Sequence, residues 1–434
     1  MNEVTIGIIG LLALFPLFAS GLEMGFSMML VGSIGFACLS SPHAGMIMAG
    51  NELYGAIVNY GFVVFPLFML MGQIGYHAGI AGRLYGVANK WVGHIPGGLA
   101  MGTVGAAMGF KAVCGSGAAT TATFASVAVP EMDRLGYDQR LSTGLVACAG
   151  SLGVIMPPSI LLIIFGIITE QSIGKLFMAG VIPSLIGALM FMGVIYGWIR
   201  INPKVAPKNT ELVTWRQRLT SLPELGWALT IFIVVVGGIT KGYFTPTEGG
   251  GIGTICVLLM CILKKEMTLK KYIVCMTETL RTVGMITLLI AGSFMLGRFL
   301  TAANIPAIVA EWLVGLPFNR YLIMVMILVF YEIGGSFIDD LAFVILATPV
   351  LYPAVVKLGF DPIWFGVLVG VQFMIGSVIP PVAINIFITK NITKVPLKTI
   401  YRGSYPFLIA LVGMLILILL FPQIALWLPS LFFK

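Results

Sequence analysis

The sequence has little charge. Only 10% of its 434 residues are Asp, Glu, Lys or Arg, whereas 59% are hydrophobic and the mean hydropathy is +1.03. A soluble domain of this length exposes far more polar side chains, so the composition excludes one. It is typical of a polytopic helical membrane protein.

Motifs for catalysis, redox chemistry and metal binding are also missing. The three histidines, His43, His77 and His94, lack ligand spacing, and the six cysteines form no C-x-x-C pair. No G-x-x-x-x-G-K-[ST] loop occurs, so the chain is not expected to hydrolyse ATP. We therefore predict no enzyme and no cofactor. The net charge of +8 is assigned to cytoplasmic loops and not to nucleic-acid binding.

What the sequence does contain is a repeated interruption of its apolar segments. Gly, Pro and Ser break the run Ala149 to Ser159, and Gly376 to Pro381 repeats its Gly-x-x-x-Pro-Pro pattern 223 positions later. At the same offset Asp138 aligns with Asp361, which extends the repeat beyond the motif. Duplicated halves with interrupted helices at matching places indicate a secondary transporter and the position of its binding site.

Two pairs of apolar segments predict re-entrant hairpins. The first pair is 98–113 and 118–133, split at 114–117, and the second is 321–333 and 341–356, split at 334–340. At 1.5 Å per residue an arm of the first pair reaches about 24 Å, short of the roughly 30 Å hydrocarbon core. Each tip must then be buried in protein or line a cavity.

Basic residues set the predicted orientation. They cluster at the base of the first hairpin and in the loop 200–224, which places both in the cytoplasm. The second hairpin then enters from the opposite face, so the repeat is inverted. We count ten spanning segments plus the two hairpins, with both termini periplasmic.

The predicted fold is an all-α polytopic membrane protein, an inverted repeat with two hairpins and two broken helices. Each half carries an interfacial arm, a hairpin and a broken helix. The predicted parts are scaffold helices over 1–80, the first transport half over 81–175, scaffold helices over 176–303, the second transport half over 304–402 and a C-terminal helix over 403–434.

The breaks offer polar backbone groups within the membrane. Carbonyls at a helix C-terminus suit a small cation, and amides at a helix N-terminus suit an anion. We predict two sodium sites between tips and breaks, with Ser116 and Ser151 in the first and Ser336, Asp339 and Ser377 in the second. The full set of predicted sodium- or substrate-binding residues is Gly115, Ser116, Gly117, Thr120, Ser151, Gly153, Pro157 and Pro158, then Gly335, Ser336, Asp339, Asp340, Gly376, Ser377, Pro380 and Pro381.

Alternatives stay open for individual residues. Each hydroxyl could instead cap a helix or bond to the preceding turn. Asp339 and Asp340 are intramembrane carboxylates and so functional candidates, unless the tip reaches water and they are solvated or cap the next arm. Lys111, three residues before the first tip, either neutralises a bound anion, snorkels or pairs with an acid.

With these motifs in view, the sequence resembles the large membrane subunit of the tripartite ATP-independent periplasmic (TRAP) transporters over essentially its whole length. The matching stretches are Gly115 to Thr120, Pro130 to Met132 with Gly136 and Tyr137, Gly153 to Ser159, Thr245 to Glu248, and Pro380 with Pro381. The resemblance implies an elevator mechanism, sodium as the coupling ion and a bacterial inner-membrane location. It also implies a separate small four-helix membrane subunit and a soluble periplasmic protein that delivers the substrate.

The leading functional prediction is therefore a sodium-driven, binding-protein-dependent importer of small organic anions, such as carboxylates or sialic acid. An ion or solute channel is the alternative, because re-entrant loops also build selectivity filters. Channels usually gather several copies around an axis, whereas an inverted repeat within one chain favours alternating access.

Overall fold

The computed structural model describes residues 2–207, 213–337, 340–380 and 383–433, without the side chains of 337 and 340. Within these ranges the regular structure is helical, as predicted. The helices are α1 (Glu3–Ala19), α2 (Met24–Leu39), α3 (Pro42–Val58), α4 (Val64–His77), α5 (Ile80–Val92), α6 (Gly98–Cys114), α7 (Gly117–Arg134), α8 (Gln139–Leu152), α9 (Ile160–Ile168), α10 (Ile173–Ile201), α11 (Trp215–Leu219), α12 (Leu222–Phe232), α13 (Gly238–Thr240), α14 (Pro246–Leu263), α15 (Leu269–Ala302), α16 (Ile305–Val314), α17 (Arg320–Phe337), α18 (Asp340–Lys357), α19 (Pro362–Gly376), α20 (Ile384–Thr393), α21 (Leu397–Leu420) and α22 (Gln423–Phe432).

Both predicted hairpins and both predicted broken helices are present. The hairpins are α6 with α7 and α17 with α18, and the broken helices are α8 with α9 and α19 with α20. The second part of each broken helix packs on the hairpin of the other half, since α9 contacts α18 and α20 contacts α7. The two halves are therefore interlocked.

A bent pair of helices lies near the start of the chain. Helix α3 and the segment Tyr60–His77, which contains α4, meet with a bend of 47°. The Ser41 side chain accepts a hydrogen bond from the Ala44 amide and Pro42 follows, which are standard helix-start signals. Asn59 ends α3, and its side chain accepts from the Gly61 amide.

Fewer helices qualify as membrane spans than the ten predicted. By length and composition, five in the described ranges qualify, or six if the bent pair of α3 and α4 counts as one span. Helices α1 and α2 contain only 17 and 16 residues. The single C-terminal helix predicted over 403–434 is instead two helices, because α21 ends at Leu420 and the chain continues after Pro422 as α22.

Two glycines let α8 and α21 approach within backbone contact. A Cβ atom on Gly144 would lie 2.6 Å from the Gly403 Cα, and one on Gly403 would overlap the carbonyl of Arg140. Only glycine fits such a crossing. Because α8 also contacts α6, α7 and α20, this crossing positions the first hairpin and the first break.

Asp138 and Arg140 interact at the N-terminal end of α8. Asp138 caps the helix by accepting from the Arg140 amide at 2.8 Å, and it also accepts from the Arg140 guanidinium. These guanidinium hydrogen bonds hold the pKa of the Asp138 carboxyl below its ordinary value. A lowered native pKa adds stability above the unfolded pKa, and this stability is lost as the pH falls through the native pKa.

We therefore expect Asp138→Asn to lower the thermal unfolding temperature at pH 7, with a difference from wild type that narrows below about pH 4. Asparagine keeps the cap, so the change isolates the charge. The matched control is Asp361→Asn, because Asp361 caps α19 through the amides of Ile363 and Trp364 and makes no ion pair among the described residues. An equal loss for Asp138→Asn at pH 7 and in acid would contradict the assignment.

Candidate functional site

The first hairpin tip lies directly against the first break. Gly115 ends α6 in the left-handed region with φ of 68°, and Ser116 caps α7 by accepting from the Ala119 amide at 3.3 Å. A Cβ atom on Gly115 would lie 3.5 Å from the Pro158 carbonyl oxygen, and one on Gly117 would lie 3.2 Å from the Gly150 carbonyl oxygen. The tip therefore contacts both sides of the break.

The hydroxyls of the first half bond within their own helices. Ser151 donates to the Cys148 carbonyl at 2.7 Å, and Thr120 donates to the Ser116 carbonyl at 2.8 Å. A hydroxyl that donates one hydrogen bond keeps lone pairs that can accept another donor or face a cation. The back-bonding role and the predicted ligand role are therefore compatible for both residues.

The first break is a non-helical segment from Gly153 to Ser159. Ser159 begins α9 by accepting from the Leu162 amide at 3.3 Å. Pro157 and Pro158 are buried in this segment and supply no amide hydrogen. The break therefore presents the carbonyl end of α8 and the amide end of α9 close to the tip.

The second tip is shorter than predicted. Helix α17 continues through Gly334, Gly335 and Ser336 to Phe337, whereas the sequence predicted a break over 334–340. A Cβ atom on Gly334 would overlap the ring of Phe343, so this glycine serves close helix packing and not a turn. Asp339 lies outside the described residues, and Asp340 begins α18 with its side chain outside the description.

The second break is held together by Ser377 and Asn385. Ser377 donates to the Met374 carbonyl at 3.0 Å and accepts from the Asn385 side-chain amide at 3.2 Å. The Asn385 backbone amide donates to the Ser377 carbonyl at 3.1 Å. Gly376 is buried, Pro380 is exposed and Pro381 lies outside the described residues.

Two polar residues of the second half, Glu332 and Gln372, are not among the site residues predicted from the sequence. Gln372 on α19 donates through Nε2 to Glu332 Oε2 on α17. Gln372 is only 6% exposed, and its Oε1 and Glu332 Oε1 are buried and have no hydrogen-bond partner in the described part of the chain. The signal was available, since an ionisable residue within an apolar arm is a functional candidate by default.

A cavity of about 10 Å³ adjoins Gln372 of this pair and is lined by Tyr331, Gly335, Gln372 and apolar neighbours. A void of this size accepts about one water-sized particle. Two unpartnered oxygens, one on a carboxylate, match the preference of hard cations for oxygen ligands. The second half therefore combines unpartnered oxygens with a small cavity close to the predicted second tip.

The first half carries a positively charged side chain, Lys111, whose sign is opposite to that of the Glu332 carboxylate in the second half. Lys111 is 2% exposed, and it makes no ion pair with a described acidic residue. Its stem packs against Gly153, where a Cβ atom would lie 3.0 Å from the Lys111 Cδ. Its ammonium lies 3.7 Å from the Cβ position of Gly117. This burial excludes snorkelling.

No cluster of three or more His, Cys, Asp or Glu side chains able to hold a metal occurs in the described ranges. Side-chain clusters of the kind that bind zinc therefore do not explain the site. The polar groups described at the tips and breaks are instead backbone carbonyls and amides, side-chain hydroxyls, the side-chain amides of Gln372 and Asn385, and the charged groups of Lys111 and Glu332.

The fold is that of a helical membrane transporter. It is similar to the solved structure of the YdaH transporter of Alcanivorax borkumensis, with a TM-score of 0.64, 13% identity and coverage of 89% of this chain and 90% of that one. At this identity the likeness concerns the fold alone.

The chain belongs to the family described as tripartite ATP-independent periplasmic transporter, DctM component, which matches residues 11–424. It is 34% identical over 380 residues to the C4-dicarboxylate TRAP transporter large permease protein DctM of Pseudomonas aeruginosa, covering 87% of this chain and 88% of that one. It is 30% identical over 414 residues to the sialic acid TRAP transporter large permease protein SiaM of Vibrio cholerae, covering 95% and 96%. The family confirms a multi-pass membrane permease and not an enzyme.

Proposed function

We propose that this chain is the large permease subunit of a sodium-driven importer of small organic anions that works by elevator-type alternating access. The observation that carries this proposal is the duplicated contact between a hairpin and a broken helix. Such a duplication builds one binding centre from two quasi-equivalent halves. The relatives named for C4-dicarboxylate and sialic acid act on organic anions, which supports the same substrate class here.

The substrate would meet helix N-termini at this centre. Ser116 and Ser159 begin α7 and α9, and the amides behind these caps carry the positive end of each helix dipole. Gly115 and Gly117 leave the tip without side chains, so an anion can approach its backbone. These residues, with the other predicted residues of the first half, are the proposed substrate contacts.

The coupling ion is assigned to the second half. Ser336 donates to the Glu332 carbonyl, and Ser377 follows the end of α19, the helix that carries Gln372. Glu332 and Gln372 leave oxygens unpartnered in this half, and Asp339 is retained as a ligand proposed from the sequence alone. A carboxylate that lacks a positive partner inside a membrane protein is costly, and a bound cation offsets that cost. Sodium binding would therefore stabilise this arrangement of α17 and α19.

The proposed partners are a separate small four-helix membrane subunit and a soluble periplasmic binding protein. The family description names a tripartite, periplasmic system, which supports three components. The proposed location is the bacterial inner membrane with both chain termini in the periplasm, because the basic loop 200–224 favours the cytoplasmic side.

Uptake into proteoliposomes tests the function. The chain is reconstituted with its small subunit and the matching binding protein, and C4-dicarboxylate and sialic acid are offered with an inward sodium gradient. We expect saturable uptake of an organic anion that disappears when potassium replaces sodium, because the sodium gradient supplies the driving force.

The controls use liposomes without protein and a sodium gradient collapsed by an ionophore. Equal uptake with and without the gradient would contradict sodium coupling. A steady current that does not saturate with solute would instead support the channel alternative.

A further inference from the structure

Each hairpin carries one charged residue shortly before its tip, the buried Lys111 in the first and the half-buried Glu332 in the second, and the two charges have opposite signs. Lys111 lies in the last turn of α6, and Glu332 lies near the end of α17. Each side chain also faces the broken helix of its own half, Lys111 at Gly153 and Glu332 at Gln372. The two halves therefore share a backbone plan but differ in electrostatics.

The Lys111 ammonium lies near Gly117, the chain neighbour of Ser116 in the first predicted sodium site. It is 3.7 Å from the Cβ position of Gly117, and the Gly150 carbonyl oxygen is 3.2 Å from that same position. Gly150 lies in the last turn of α8, whose carbonyls have no partner within the helix and form its negative end. A positive charge at this place is thus favourable, and the lysine provides it.

A sodium ion beside this ammonium would be repelled. Two like charges a few ångströms apart in a protein interior weaken binding by well over tenfold, because water does not screen them there. The first half therefore does not fit the sodium ion predicted for Ser116 and Ser151, whereas the second half, with the Glu332 carboxylate, does.

We propose that Lys111 acts as a tethered cation that replaces a sodium ion at the first tip and break, so that sodium binds only in the second half. This inference rests on the proposed sodium-driven function. If Lys111 has this role, the side chain at position 111 sets the number of sodium ions that each chain binds.

The test counts sodium ions bound to the full chain, purified with its small subunit in lipid nanodiscs, by equilibrium binding of radioactive sodium. We expect one ion per chain for wild type. Lys111→Met keeps the stem against Gly153 and removes only the ammonium, so we expect two ions per chain and a steeper sodium dependence of the unfolding temperature. Lys111→Arg keeps the charge and should bind one.

The matched control is Lys90→Met, which removes an exposed lysine of α5 and should leave the count at one. Two ions in wild type would overturn the proposal even if Lys111→Met failed to fold. A folded Lys111→Met that still binds one ion would also overturn it, and loss of organic-anion binding in that variant would reassign Lys111 to the substrate. Absence of any bound sodium in wild type, with uptake independent of sodium, would instead refute the proposed function.

Discussion

Gly144→Ala is expected to destabilise the protein by about 1 to 3 kcal/mol, the usual cost of forcing extra atoms into a packed interior. The added methyl group would lie 2.6 Å from the Gly403 Cα and closer still to its carbonyl carbon. Backbone atoms cannot rotate away as a side chain can, so α8 and α21 must separate. Thermal unfolding in detergent, followed by gel filtration of the surviving fraction, measures the loss.

Gly193→Ala is the matched control for this substitution. Gly193 lies within α10, and a Cβ atom there would meet nothing within 4 Å. Alanine favours a helix interior over glycine by roughly 0.5–1 kcal/mol, so this variant should be as stable as wild type or slightly more stable. Equal destabilisation by both substitutions would contradict a specific contact between α8 and α21.

Glu332→Gln is expected to raise the sodium concentration for half-maximal uptake by at least about tenfold. The substitution keeps size and shape but removes the charge. At about 4 Å and an effective dielectric constant near 20, the carboxylate and a sodium ion attract each other by about 4 kcal/mol. A loss of only about 1.4 kcal/mol of this attraction lowers the sodium affinity tenfold. Sodium titrations of uptake in proteoliposomes at fixed substrate concentration measure the shift.

The control is Glu311→Gln on α16. The Glu311 side chain is 75% exposed and lies 3.9 Å from the Lys357 ammonium, so its charge is screened by solvent. Its sodium titration should match wild type. If Glu332→Gln also leaves the titration unchanged, then Glu332 does not bind the coupling ion.

Much of the fold could be predicted because helix breakers act locally. The glycines of 114–117 and the Gly and Pro residues of 153–158 interrupt their helices, and the repetition of the second pattern 223 positions later identified two halves. The structure confirms both hairpins and both broken helices within a few residues. The start of α3 could also have been predicted, since Ser41 and Pro42 are ordinary helix-start residues.

The second tip shows where local reasoning fails. Gly334 and Gly335 have the composition of a turn, yet α17 continues through them because the Phe343 ring packs on Gly334. That contact joins two hairpin arms, and a sequence pattern does not show which ring will lie over which glycine. Tertiary packing therefore overrides the breaking tendency of glycine.

The contacts of the charged residues in the site could not be predicted from the sequence either. Glu332 and Gln372 lie 40 positions apart, and only the packing of α17 on α19 brings them together. The burial of Lys111 against Gly153 depends likewise on the contact between α6 and α8. Sequence could mark these residues as unusual within apolar segments, but their partners follow from the fold.

The interlocking of α9 with α18 and of α20 with α7 has a thermodynamic consequence. The first part of each broken helix contacts the hairpin of its own half, and the second part contacts the hairpin of the other half. A ligand that shifts one broken helix must therefore alter the surface on which the other hairpin rests. If the substrate changes sodium affinity through this contact, sodium must change substrate affinity by the same factor, and this reciprocity can be measured at equilibrium without transport.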